Sequence, residues 1–172
     1  MSTIYFEDDR SAMTVGTPEL RSAEQAHKLI ASSISRDVGF LLAKLHAAGS
    51  VLNNSALAEF DLKERSYSVL ALANSGLEPT QREIAEFLSL DPSQIVTLVD
   101  ELENRGLVTR EPGRQDRRAK IVTATAEGAR VFDGARQAAQ RAEVLALEAL
   151  EEREVGTLKE LLRKALWGAG VE

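Results

Sequence analysis

"LVTREPGRQDRRAKIVTAT", Leu107 to Thr125, holds two stretches rich in β-branched residues on either side of a charged turn. "LVTRE" reads as a strand, and "AKIVTAT" alternates in the way a returning strand does. Pro112-Gly113 lets the chain reverse between them, and Arg114, Arg117 and Arg118 fall at the tip. The pattern predicts a β-hairpin with projecting arginines. Between Arg105 and Lys120 six basic residues stand against two acids, a local +4. The whole chain carries −6, so the remainder carries −10. A field of that sign repels nucleic acid except where positive charge is segregated, as it is here. The bland alternative for such a run is a solvated loop.

The residues before the hairpin decide between these readings. "TQRE", Thr80 to Glu83, is a capping box that opens a helix, with Ile84, Ala85 and Leu88 facing inward. "SLDPSQ" breaks that helix and starts another, with Asp91 as N-cap, Pro92 at the first position and Gln94 at the third. Ile95, Leu98, Val99 and Leu102 form its buried stripe, and "NRG" ends it at Gly106. Two short helices joined by a tight turn are either a helix-turn-helix or an ordinary helical hairpin. A β-hairpin directly after the second helix is a wing, which favours the first. The fold class expected is mainly α with a small β-wing, a winged helix-turn-helix. An arginine projecting from a wing suits the narrow minor groove, where the potential is most negative.

Helices flank this unit. Thr17-Pro18-Glu19 reads as a helix start. Ile30, Ile34, Val38, Leu41 and Leu45 then mark one face of a long helix ending near Ala48-Gly49. "NNSALAEFD" is expected to be a connection with a short helical piece, and "LKERSYSVLALANSG" a helix stopped by Gly76. After the wing, Thr125 can cap a helix bearing Val131, Ala135, Ala138, Ala142, Leu145 and Ala149 on one stripe. A second stripe follows "EERE": Val155, Leu158, Leu161, Leu162, Ala165 and Leu166. These helices can bury one another or a partner chain. The expected organisation is an arm at 1–17, an N-terminal dimerisation helix and connection at 18–60, the winged helix-turn-helix at 61–125, and C-terminal dimerisation helices at 126–172.

Composition removes several classes of function. With no cysteine among 172 residues there are no disulfides, thiolate metal sites or cysteine nucleophiles. No apolar run approaches the ~20 residues of a membrane span. "MSTIYFEDDR" lacks a basic start followed by an apolar stretch, so a signal peptide is not expected and a cytoplasmic protein is. The two histidines, His27 and His46, have no acids at ligand spacing, so no metal is expected. No glycine-rich phosphate loop or nucleophile–histidine pairing supports an enzyme, and no cofactor is expected.

With these motifs in place, the chain resembles the MarR family of bacterial transcription regulators over roughly Pro18 to Leu166. The strongest part is "IAEFLSLDPSQIVTLVDELENRGLVTREPGRQDRRAKIVTATAEG", Ile84 to Gly128. Asp116, Arg118, Thr125 and Gly128 match the family's wing signature. Ala124 departs from its usual Leu, at a slot that packs the returning strand. The resemblance implies a homodimer in which N- and C-terminal helices interlock, each subunit presenting a winged motif to half of a palindromic operator. It also implies a regulator, usually a repressor, modulated by a small aromatic or anionic effector. Arg118 matches the arginine that enters the minor groove, and Asp116 the acid that orients it.

Candidate DNA-binding residues follow. Ser93, Gln94 and Thr97 lie off the buried stripe at the end of the helix that enters the major groove in such motifs. Gln pairs bidentately with adenine, and Ser and Thr suit phosphates or base edges. Their bland alternative is solvated helix surface. Arg114 and Arg117 are expected on phosphates, and the amides of Thr80 and Gln81, at a helix start, can hold another. Asp100, Glu101 and Glu103 are expected to face away from phosphate or pair with bases such as Arg105. Tyr67 and Trp167 are either pocket residues or packing residues. The competing class is a winged-helix module that binds protein, without specific DNA binding.

Overall fold

The computed structural model describes residues 28–113 and 119–168. The chain divides into two compact units, 1–44 and 45–172. The arm and the Thr17-Pro18 helix start lie outside the described residues.

In the first unit, the continuous helix expected through Ile30 and Ile34 is interrupted. Serine hydroxyls take backbone carbonyls there: Ser32 Oγ donates to Leu29 O at 2.6 Å, and Ser35 Oγ to Ile30 O at 2.6 Å. Such local bonds compete with the helical ladder. A 3-10 turn forms over Ser33–Arg36, and Asp37 is extended. Helix α1 begins afresh at Val38 and runs to Leu57, straight through Gly49. The expected stop near Ala48-Gly49 is therefore wrong, as is the reading of "NNSAL" as a connection: those residues form α1's last turn. Gly49 is not among the glycines with positive φ. The stripe from Ile30 to Leu45 stays 37–71% exposed.

The second unit holds the core. A 3-10 turn at Ala58–Phe60 leads to α2, Glu64–Ala73, which buries Val69 and Leu70. Gly76, at φ 75°, follows it as expected. Helix α3 spans Gln81–Leu88, and its capping box forms: the Glu83 amide donates to Thr80 Oγ1 at 3.2 Å and the Thr80 amide to Glu83 Oε2 at 2.7 Å. Ser89 turns the chain with φ 52°. Helix α4, Pro92–Asn104, is capped by Asp91, which accepts from the Ser93 amide at 2.8 Å. Its Ile95, Val99 and Leu102 are fully buried, and Gly106, at φ 69°, ends it.

Strands β1 (Val108–Pro112) and β2 (Lys120–Ala124) pair antiparallel, with Arg110 opposite Val122 and Pro112 opposite Lys120. A short bridge, Thr80 to Ile121, and a bond from the Val122 amide to Pro79 O at 2.9 Å tie the start of α3 to the other edge of β2. Helix and wing thus share one core. Helix α5, Ala126–Ala146, is capped by Thr125, whose Oγ1 accepts from the Gly128 amide at 3.0 Å. Ala135, Ala138 and Ala142 are buried as the stripe predicts, whereas Leu145 is exposed and Ala149 lies beyond the helix end. Helix α6, Glu152–Trp167, buries none of its residues. This is a mainly helical chain with a two-stranded wing, the expected winged helix-turn-helix.

Candidate nucleic-acid interface

Helix α4 is positioned by its apolar stripe. Burying Ile95, Val99 and Leu102 turns Ser93, Gln94, Val96 and Thr97 outward, all exposed. The local hydrogen bonds of two of them are fixed. Ser93 Oγ donates to the Asp91 carboxylate, and Thr97 Oγ1 donates to Ser93 O at 3.1 Å. With its proton directed to a neighbour, each hydroxyl keeps lone pairs that can accept a further hydrogen bond. The hydrogen bonds from Ser93, side chain first, hold the Asp91 carboxyl below its ordinary range. Asp91 therefore stays ionised at the positive end of α4.

Val96 is exposed on this face as well, although the sequence does not single it out. It falls outside the buried stripe, yet neither polarity nor charge marked it. Its signal was positional: it stands one residue from Thr97 and one helical turn before Asp100.

The start of α3 is less open than expected. Thr80 donates its amide to Glu83, and its hydroxyl also donates to Glu83 Oε2 at 2.8 Å. The Gln81 side-chain nitrogen is buried with no hydrogen-bond partner among the described residues. The backbone bond from Thr80, then its hydroxyl, keeps the Glu83 carboxyl low.

The wing joins α4 through Arg110. This β1 guanidinium lies 2.6 Å from Asp100 Oδ1, and its Nε donates to Glu103 Oε2 at 3.1 Å, with a second bond to the same carboxylate. Arg110's hydrogen bond is the main cause of Glu103's lowered pKa. Arg105, the expected partner of these acids, points elsewhere: it donates to Asp61 O at 2.6 Å and Phe60 O at 2.8 Å. Its side chain reaches back across the helix end, whereas Arg110 on the adjoining strand faces α4. Two of the six basic residues between Arg105 and Lys120 thus hold the scaffold together. Lys120 is exposed at the outer end of β2. Arg114, Asp116, Arg117 and Arg118 lie outside the described residues; the Gly113 amide donates to Ala119 O at 2.9 Å where the two strands approach them.

The remaining candidates separate. Tyr67 stacks on Phe132 at 5.8 Å, and burial raises its pKa. Trp167 stacks on Phe87 at 6.3 Å, with the Arg163 guanidinium 5.9 Å from its ring centre. Neither ring lines the groove of about 1050 Å³ between the end of α1, the start of α2 and the C-terminal half of α4. That groove carries Lys63, Arg65 and Arg105 against Asp61, Glu64 and Glu101, so its charges balance. His46 is exposed on α1, and His27 lies outside the described residues.

Comparison with known proteins places this geometry. A family model described as MarR family matches residues 60–119. The chain is similar to a MarR-family transcriptional regulator from Rhodococcus sp. RHA1, at 39% identity over 81% of this chain and 99% of that one, TM-score 0.77. It is similar to CouR from Rhodococcus jostii RHA1, solved bound to p-coumaroyl-CoA, at 40% identity over 82% and 99% of the two chains, TM-score 0.71. A mutant MarR from E. coli, complexed with operator DNA, is 28% identical over 75% and 93%, TM-score 0.67. The uncharacterized HTH-type transcriptional regulator YfiV of Bacillus subtilis is 29% identical over 105 residues, and that match spans 66% of YfiV, just under two thirds.

Proposed function

The chain belongs to the MarR family of transcriptional regulators, and from that premise we propose that it is a repressor that binds a palindromic operator as a homodimer and is released by a small organic effector. The observation that carries the reading is the pairing of two surfaces. The outward face of α4 offers Ser93, Gln94 and Thr97, and Arg110 clamps that helix to a wing whose turn contains Arg114, Arg117 and Arg118. The first suits base edges in the major groove, and the second suits phosphates and the minor groove beside it. Arg118 is assigned to the minor groove, Asp116 to orienting it, and Arg114 and Arg117 to phosphates. Gln81 is assigned a phosphate through its backbone amide, with Thr80 as the cap that shapes that helix start.

Dimerisation is supported by exposed apolar residues. Val38, Val144, Leu161 and Leu166 are each 60% exposed or more. Exposed apolar side chains of this kind favour burial against a partner chain, and two linked winged motifs raise affinity through effective concentration. The working division is an arm at 1–17, dimerisation elements at 18–60 and 126–172, and the DNA-binding domain at 61–125. For the effector, the relative solved with p-coumaroyl-CoA supports an aromatic acid or its thioester.

The test is in vitro selection of the full chain against a random duplex pool, followed by gel shifts with and without p-coumaroyl-CoA, and light scattering on the free protein. The expected results are a palindromic consensus with half-sites ~34–36 Å apart, a dimer, and release by the thioester. A monomer that enriches no sequence contradicts the reading and returns the chain to the protein-binding class.

A further inference from the structure

Among the apolar residues of α4, Val96 stands apart. Ile95, Val99 and Leu102 are at most 1% exposed, whereas Val96 is 45% exposed. A valine is a poor choice for an exposed helix position on propensity alone, because its branched side chain loses rotamer freedom there. That same stiffness fixes where its two methyl groups point. Its neighbours define which surface it belongs to. Asp100, four residues on and so one turn above it on the same face, bonds to Arg110 of the wing. Val96 therefore occupies the wing-side flank of α4. Ser93 and Thr97 hold the middle of the exposed face, and Gln94 its far edge. The N-terminal half of α4 thus runs from an amide edge, across two acceptor hydroxyls, to a small rigid apolar edge.

In the major groove one base-edge group is apolar, the C5-methyl of thymine. We propose that Val96 is a specificity-determining residue that reads a thymine methyl in each half-site, an inference that rests on α4 entering the major groove. Gln94 then selects by hydrogen bonding at one edge of the contact. Val96 selects by burying a methyl at the other, on the side next to the wing. A cytosine at that position would present only a C5 hydrogen and lose the methyl contact, and a purine would set the polar N7 there.

The contact is tested with the duplex recovered by selection, in which each thymine of the half-site is replaced in turn by deoxyuridine. That change removes the methyl and keeps the base pair. Burying one methyl group corresponds to about a fourfold change in affinity. One thymine position is expected to lose roughly fourfold when both strands of the palindrome are scored per half-site. Val96→Ala is expected to lose a similar factor on the unmodified duplex, and then to be indifferent to deoxyuridine at that position. Two results overturn the proposal. In one, no thymine is methyl-sensitive. In the other, parent and Val96→Ala lose equally at the sensitive position, which assigns the methyl to another group such as the Thr97 side chain. Gln94→Ala, measured on the selected and scrambled duplexes, keeps the two readings separable. Loss confined to the selected duplex leaves α4 in the groove even when the Val96 contact fails. A pool that yields no enriched sequence overturns both.

Discussion

At Gly128 an added β-carbon would stand 1.9 Å from the Leu107 carbonyl oxygen and 2.9 Å from its carbon. Both neighbours are backbone, so neither can swing aside. The same carbonyl accepts from the Thr125 amide at 3.0 Å, and Thr125 Oγ1 donates to Gly106 O at 2.7 Å. The glycine that matches the family's wing signature is therefore needed for contact between the start of α5 and the entry to β1. Gly49 is the opposite case. Its β-carbon would meet Ala146 Cβ at 3.7 Å, an ordinary contact, in a helix interior where Ala is preferred. Gly128→Ala is expected to destabilise by about 2–3 kcal/mol, the scale of a forced overpacking. Gly49→Ala is expected to stabilise by about 0.5–1 kcal/mol. Denaturant unfolding of the two variants checks this, and destabilisation by both would mean that Gly49 serves a contact outside the described chain.

The elements read correctly from sequence were those whose signals are local. Thr80 with Glu83, Asp91 with Pro92, and Gly106 each fix a helix end through atoms within a few residues. Pro112-Gly113 likewise marks where β1 ends. The first long helix departs from its sequence pattern because the apolar spacing continues across a serine cluster whose hydroxyls break the ladder, and because Gly49 has no left-handed turn to make and so does not stop it. The partners of Asp100 and Glu103 were misassigned because Arg110 reaches them only once β1 folds back along α4. That clamp carries a pH signature. Glu103 is held below its ordinary 4.5, first by the hydrogen bond from Arg110. A carboxylate with a depressed folded pKa stabilises above its unfolded value, and the stabilisation is lost as pH falls through the folded one. The parent should therefore melt above Glu103→Gln at neutral pH, and the gap should close below about pH 4.5. The gap is expected to be small, because the pair is exposed to solvent. Melting curves that stay parallel down to about pH 3 would show that the pair does not couple α4 to the wing.

Across the whole chain, charge and apolarity are sorted by task. The acidic majority repels DNA broadly, so the proposed interface relies on a few basic and polar groups of α4 and the wing. The wing and helix-turn-helix share one core through Val108, Val122, Ile95 and Ile84, all at most 1% exposed, so the proposed interface is held together as one piece. This arrangement makes base reading and backbone holding separable. The measurement that tests it most directly is a salt titration of Gln94→Ala and Arg117→Ala against the selected operator and a scrambled duplex. Gln94→Ala is expected to lose roughly 1–3 kcal/mol on the operator and much less on scrambled DNA. Arg117→Ala is expected to weaken both alike and to flatten the salt dependence by about one unit per half-site. Equal loss on both duplexes for Gln94→Ala would contradict the account, because α4 would then be holding backbone rather than reading bases.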